Sequence, residues 1–361
     1  MALRLAIIGL DPIQQDWIQA VRALADKQQV ELVAAGHRST SPARDLGDAL
    51  GLPAAATFDD LRKLLLDASP QIILLDRPEN AGLDFLTSCI TQKIGLFCLG
   101  PPVTTVAEAA KLAETLEPKT ALLYVWPRLA NTPAYRHCAE ADQFVKPVRF
   151  ATAQWFALSH PLARTSGQNV QAVRSMTVLA WDAIGTLIDL LGMPESIFAT
   201  LRGTVGKGDS FADLTGAAAL TLRFADQCPV NLTISDRVGP WQREILLWGQ
   251  SGSLRLNELQ YRFTDADAKL IDEGSTPPPA APPGPPPGNP PGPLFDYAGG
   301  IGLENALEEL GLFLEHFTAQ PSPHRGWEHR MVEIASVLEA MVVSHRTGQA
   351  ENPEKFLALR R

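Results

Sequence analysis

Residues 7–17 read IIGLDPIQQDW. The stretch sits at the end of LRLAIIGL (3–10), an apolar run that predicts a buried strand stopping on Gly9. PIQQDWIQAVRALAD (12–26) then carries apolar residues at helical spacing. A strand that stops on glycine and turns into a helix aims main-chain N–H groups at whatever lies above the turn. A phosphate suits such a turn. A loop built for it reads G-x-G-x-x-G; here the three positions are Gly9, Asp11 and Gln14. The second glycine lets the backbone approach a pyrophosphate, whereas Asp11 brings a side chain and a negative charge. Like charges about 4 Å apart at an effective dielectric near 20 repel by about 4 kcal/mol. Asp11 also suits a helix N-cap, its commoner structural role.

Downstream the pattern repeats. VELVAAG (30–36), QIILLD (71–76), IGLFCLG (94–100) and TALLYVW (120–126) read as strands. SPARDLGDALG (41–51), FDDLRKLLLDA (58–68), GLDFLTSCITQK (82–93) and TVAEAAKLAETL (105–116) read as helices, the first stopped by Gly51 and Pro53. Near-continuous apolar strands alternating with helices predict a parallel sheet covered on both faces. Residues 1–125 are therefore predicted to form a Rossmann-like domain.

From about residue 147 the texture changes. PVRFATAQWFA alternates as a strand, and VRSMTVLAWDAIGTLIDLLG (173–192) is a long apolar helix ending at Gly192 before Pro194. IFATLRG, GAAALTLRF, PVNLTISD, REILLWG, GSLRLNE and QYRFTD follow at hairpin spacing. Residues 126–361 are predicted to form a second domain, an open and mostly antiparallel sheet with helices on one face. The fold class is thus α/β plus α+β. Residues 277–293, PPPAAPPGPPPGNPPGP, predict an extended surface loop. LENALEELGLFLEHF and EHRMVEIASVLEAMVVSHRTG, within about 300–350, predict two amphipathic helices that return to the first domain.

The 361 residues are 45% hydrophobic, enough for two cores. A net charge of -9 argues against a nucleic-acid partner. Cys89, Cys98, Cys138 and Cys228 show no C-x-x-C spacing and read as reduced thiols of a cytoplasmic protein. The seven histidines form no H-x-x-x-H or H-E-x-x-H pair, so no metal is expected. No basic segment followed by an apolar run, and no run of spanning length, predicts export or a membrane partner.

The order of elements and several local patterns resemble the Gfo/Idh/MocA family, that is, glucose–fructose oxidoreductase, inositol dehydrogenase and their relatives. The patterns are PQIILLDRPENAGLDFLTSCITQKIGLFCLGPPVTTVAEAAKLAETL (70–116), LLYVWPRLANTPAYRHC (122–138) with Arg128 and Pro133, KPVRFATAQW (146–155), and ILLWGQSGSLRL (245–256) with Gly249 and Gly252. The resemblance covers nearly the whole chain. It implies an NAD(P) cofactor lying along Gly9, Asp11, Ile13, His37, Arg38, Pro78 and Gly100. It also implies a small sugar-like ligand in the second domain.

Each functional motif departs from the family pattern. Gly36, His37 and Arg38 stand where the family often has an acid for the adenosine ribose. A His-Arg pair suits a 2′-phosphate, so NADP is favoured over NAD and binding is expected to be weak. Aligned on Pro102, the E-K-P loop has Gly100 for its glutamate and Pro101 for its lysine, and no lysine occurs between Lys93 and Lys111. The D-x-x-x-H-x-x-D pattern becomes Asp182, Thr186 and Asp189, all on one helical face. Asp189 is expected to hold the domain junction through hydrogen bonds. Asp182 remains the one matched catalytic candidate, and losing a positioned acid–base group costs about 100- to 10,000-fold. Two readings stay open. One is a ligand-binding or scaffold protein with weak or lost hydride transfer. The other is an active NADP-dependent oxidoreductase of a sugar or polyol, rebuilt around Asp182, Tyr135, Arg128 or His160. The uncovered face of the second sheet predicts a homodimer or larger homo-oligomer.

Overall fold

The five apolar runs become β1 (Leu3–Ile8), β2 (Val30–Gly36), β4 (Ile72–Asp76), β5 (Gly95–Leu99) and β6 (Leu123–Val125), and Thr57–Phe58, where Phe58 was expected to open a helix, adds β3 to make six parallel strands. The computed structural model describes residues 2–10, 15–76, 78–116, 122–126, 129, 132, 134–135, 138, 145–158, 176–205, 210–211, 214–257, 259–275, 303–318 and 327–358. The strand order is β3-β2-β1-β4-β5-β6. It reverses between β1 and β4, and at such a switch point a crevice opens beyond the carboxyl ends of the strands. The connecting helices are α1 (Gln15–Asp26), α2 (Thr40–Leu50), α3 (Leu61–Ala68), α4 (Pro78–Ala81), α5 (Leu83–Thr91) and α6 (Val106–Leu116). α2 stops at Gly51, whose φ of 72° only glycine adopts at little cost. α3 starts at Asp60, whose carboxylate accepts the N–H groups of Arg62 and Lys63.

The second sheet holds β7 (Val148–Leu158), β8 (Ser196–Arg202), β9 (Ala217–Arg223), β10 (Pro229–Ser235), β11 (Arg237–Gly249), β12 (Gly252–Asn257), β13 (Gln260–Asp265) and β14 (Leu270–Ser275). Its order is β14-β13-β12-β11-β7-β10-β9-β8, antiparallel except where β10 meets β7. In β8 and β9 buried and exposed residues alternate strictly, so one face is covered and the other open. α7 (Met176–Leu191) packs on the covered face, and every residue from Met176 to Ile188 is buried. The turn glycines keep backbones close: a Cβ on Gly249 would overlap the Val145 carbonyl, and one on Gly252 the Thr264 carbonyl.

Three helices follow: α8 (Leu303–Thr318), α9 (Trp327–Thr347) and α10 (Glu354–Ala358). α8 closes an aromatic layer on the first sheet, where Phe97 stacks on Tyr124 at 4.8 Å and meets Phe313 edge-on at 5.4 Å. α9 departs from the amphipathic expectation, since every residue from Ile334 to Val342 is buried. It lies between α6, α7 and β8. Val106 N–H donates to Glu339, Ile334 packs on Gly185, and Ala199 N–H donates to the Ser344 hydroxyl. The buried apolar residues accordingly form two clusters. One lies beneath α1, α2 and α8, and the other runs from the opposite face of the first sheet through α7 and α9 to the second sheet. The expected Pro-rich loop, 277–293, lies outside the described residues.

Candidate functional site

Gly9, His37, Arg38, Pro78 and Gly100 follow the carboxyl ends of β1, β2, β4 and β5, around the switch point. Gly9 has a φ of 74°, and a Cβ there would lie 2.9 Å from the Asp76 carbonyl oxygen. Glycine is thus required by the backbone itself. The Gly9 N–H is not free for a phosphate, because it donates to the Gly36 carbonyl at 2.8 Å. Leu10 beside it is buried. Asp11, Ile13 and Gln14, on which the sequence reading of this loop turns, lie outside the described residues.

The HRST loop is tied inward. His37 N–H donates to the Phe58 carbonyl, Ser39 N–H donates to His37 Nδ1 at 3.0 Å, and Arg38 Nη2 donates to the Ala81 carbonyl at 2.7 Å. Pro78 is buried and opens α4. Gly100 has a φ of 143°, and a Cβ there would meet Val178 Cγ2 of α7 at 3.3 Å. Pro101, Pro102 and Val103 are buried. A glutamate at position 100 would be strained at this φ, and its Cβ would press on Val178. A lysine at 101 would put an ammonium among buried groups. The departure from E-K-P is therefore built into the packing against α7.

One turn beyond Val178, the buried Asp182 carboxylate accepts three protein donors. Oδ1 accepts the Leu129 N–H at 2.8 Å; Oδ2 accepts Trp155 Nε1 at 2.9 Å and Arg243 Nη1 at 2.8 Å. The Asp182 side chain is 1% exposed and that of Arg243 6%. Trp155 and Arg243 are cross-strand partners on β7 and β11, so both reach Asp182 from the covered sheet face. The Thr186 hydroxyl donates back to the Asp182 carbonyl at 2.8 Å, the usual bond of a threonine inside a helix. Asp189 pairs with Arg330 of α9 at 3.2 Å, which links α7 to α9. Tyr135 is buried, and Arg128, Pro133 and His160 lie outside the described residues. Arg243 and Trp155 were missed in the sequence. Arg243 alternates with Ile245 and Leu247 on the buried face of β11, and that period of two was the available signal.

Other titratable groups are structural. The buried Asp236 carboxylate accepts the Gly216 N–H at 2.7 Å and the Met176 N–H at 3.3 Å, fixing the start of α7. Burial pushes its pKa up against the pull of those N–H groups. All four cysteines are buried thiols outside any disulfide, and burial pushes the Cys89 and Cys138 thiols up to about 12. Neither is a nucleophile near neutral pH.

A dinucleotide at the crevice requires main-chain N–H groups for its phosphates and a free side chain for its ribose. Among the described residues the Gly9 N–H, His37 Nδ1 and one Arg38 nitrogen already serve the protein, so these atoms are not open to the cofactor as arranged.

The sequence model of an oxidoreductase family with an NAD-binding Rossmann fold, GFO_IDH_MocA, matches residues 3–126. Residues 3–126 are thus similar to the Gfo/Idh/MocA family. No curated protein matches the chain by sequence. Solved structures match along both sheets. An oxidoreductase from Agrobacterium radiobacter, solved with NAD+, L-tartaric acid and magnesium, gives a TM-score of 0.72 at 14% identity over 98% of this chain and 99% of that one. An oxidoreductase from Thermotoga maritima gives 0.71 at 16% identity, over 99% and 100%. Levoglucosan dehydrogenase, solved with NADH and L-sorbose, gives 0.70 at 14% identity, over 98% and 99%. At these identities the likeness is one of fold, and it covers both sheets of the described residues. Among the described residues no helix is long and apolar enough to cross a membrane.

Proposed function

We propose that this Gfo/Idh/MocA-like chain has lost the family's hydride transfer and uses its fold, with residues 1–125 and 126–361 as two units, to hold a small sugar-like ligand. The observation that carries this is Asp182. A base needs a carboxylate oxygen that the substrate hydroxyl can reach, and the Asp182 side chain is 1% exposed. The Asp182 carboxylate accepts three internal donors, and one is a buried guanidinium 2.8 Å away. Thr186, in place of the family histidine, spends its proton on the helix backbone. Pro101, in place of the lysine, has no proton to give. These departures support a cleft without an acid–base pair.

The ligand class rests on likeness alone: the relatives named above were solved with L-tartaric acid and with L-sorbose. Dinucleotide binding is weak in this reading and favours NADP over NAD. The protein works in the cytoplasm as a homo-oligomer, without metal, nucleic acid or membrane. The test is a panel of inositols, aldoses, ketoses and sugar acids. It is scored for thermal stabilisation and, with NAD(P), for turnover at the reduced-nicotinamide absorbance. Stabilisation by at least one compound without turnover is the expected outcome. Robust turnover that disappears in Asp182→Asn would show a rebuilt oxidoreductase instead.

A further inference from the structure

We propose that His345 is a proton-sensitive lock on the free edge of the second sheet, closed while its imidazole is neutral and opened when the ring takes up a proton. The lock does not depend on the ligand proposed above. β8 ends the strand order, so among the described residues one side of it has no strand neighbour. The N–H groups of Ile197, Ala199 and Leu201 point to that side. An uncovered row of this kind is a template for pairing with another chain. Here the end of α9 and the turn after it cover the row with three different acceptors. The Glu351 carbonyl accepts the Ile197 N–H at 2.8 Å, and the Glu351 N–H donates back to the Ile197 carbonyl at 2.9 Å. The Ser344 hydroxyl accepts the Ala199 N–H at 3.0 Å while it donates to the Gln349 carbonyl at 2.6 Å. His345 Nδ1 accepts the Leu201 N–H at 3.3 Å.

Of these three acceptors only the imidazole titrates, and histidine changes its charge between about pH 5 and 8. A main-chain N–H can only donate, so in the closed state Nδ1 carries no proton and the ring proton sits on Nε2. In an imidazolium both ring nitrogens are donors. Nδ1–H would then face the Leu201 N–H, and a half-buried main-chain donor would lose its acceptor. The helix pulls the other way: His345 lies in the last turn of α9, where the unpaired carbonyls attract a cation. The remaining charges on the elements packed there are Arg346 on α9, Arg202 next to Leu201 on β8, Glu351 on the turn, and Glu354 and Lys355 on α10. Arg202 and Arg346 are exposed, so water and salt screen their repulsion of a cation. The Glu351 carboxylate lies 3.5 Å from the Thr347 hydroxyl. The Ile197 and Ala199 bonds involve a main-chain carbonyl and a hydroxyl, so a proton on His345 loosens the Leu201 end of the edge and leaves the Ile197 end held.

The experiment is hydrogen exchange of the full chain at about pH 8 and about pH 5, read residue by residue by mass spectrometry and corrected for intrinsic exchange rates. In the wild type the Leu201 N–H should lose about tenfold in protection at the lower pH, while Ile197 and Ala199 keep theirs. His345→Asn sets a neutral oxygen near the Nδ1 position, so Leu201 should stay protected at both pH values. His345→Ala should leave Leu201 unprotected at both. Equal protection of Leu201 at the two pH values in the wild type would overturn the proposal. A loss shared by Ile197 and Ala199 would also overturn it, because it would mark a general loosening in acid. So would a pH dependence that persists in His345→Asn. The wild-type comparison needs no variant, so it decides the matter even where a variant fails to fold.

Discussion

At Asp182 the difference between a catalytic base and a structural anion is set by the neighbours of its two oxygens. Leu129 N–H, Trp155 and Arg243 supply those neighbours from three separate segments. A buried ion pair adds little net stability, but removing one partner strands a charge and costs about 3–5 kcal/mol. Arg243→Met should therefore lower the unfolding free energy in urea by about 3–5 kcal/mol, while Asp182→Leu combined with Arg243→Met should cost less than Arg243→Met alone. A single variant as stable as the wild type would mean that the pair is not buried in solution. The sequence showed half of this site. Asp182 is conspicuous as a carboxylate on an apolar helix, but its partner lies 61 residues away and only the strand register brings it back. Gly100 is similar: its identity could be read, but not its φ of 143° or the Val178 methyl that a Cβ would press on.

Elements were legible where burial imposes a simple pattern. β4 and β5 are apolar on both faces and needed no tertiary information, whereas the two-residue β3 was read as the start of a helix. α9 was read as amphipathic, and Glu339 and Ser344 do interrupt its apolar residues. In the fold these two meet Val106 N–H and Ala199 N–H, so the polar positions are buried acceptors and not a wet face. β14 was missed because LIDEGS has neither alternation nor β-branched density; Tyr261 lies over Gly274, where any side chain would collide with its ring. The β9–β10 turn shows a local choice that is not optimal. Asp226 and Gln227 both sit at positive φ, 56° and 58°, in a connection that favours Asn-Gly. Asp226→Asn with Gln227→Gly should stabilise the protein by about 1 kcal/mol, seen as a rise in melting temperature. A fall would indicate that the exposed Asp226 or Gln227 side chain makes a contact worth more than the strain.

For the whole molecule, the open face of the second sheet bears on assembly. Phe198 is 44% and Trp248 36% exposed, and Phe150 packs beside Trp248 at 5.2 Å. The β8 edge is closed by its own chain, through Glu351 on Ile197, Ser344 on Ala199 and His345 on Leu201. Association is therefore expected through the face and not through that edge. Light scattering at micromolar concentration should give a dimer or larger assembly, and Trp248→Glu with Phe198→Glu should shift it toward monomer. A wild-type monomer would contradict this. The face was visible in the sequence as strict alternation, whereas its aromatic row is set by the register of β11 on β7. The central claim, a Gfo/Idh/MocA fold without hydride transfer, is tested most directly under single-turnover conditions. Protein in excess of NADP+ or NAD+ is incubated with carbon-deuterated inositols, aldoses and sugar acids, and deuterium in the nicotinamide is read by mass spectrometry. The account predicts no deuterium transfer from any of them; transfer in the wild type that is lost in Asp182→Asn would contradict it.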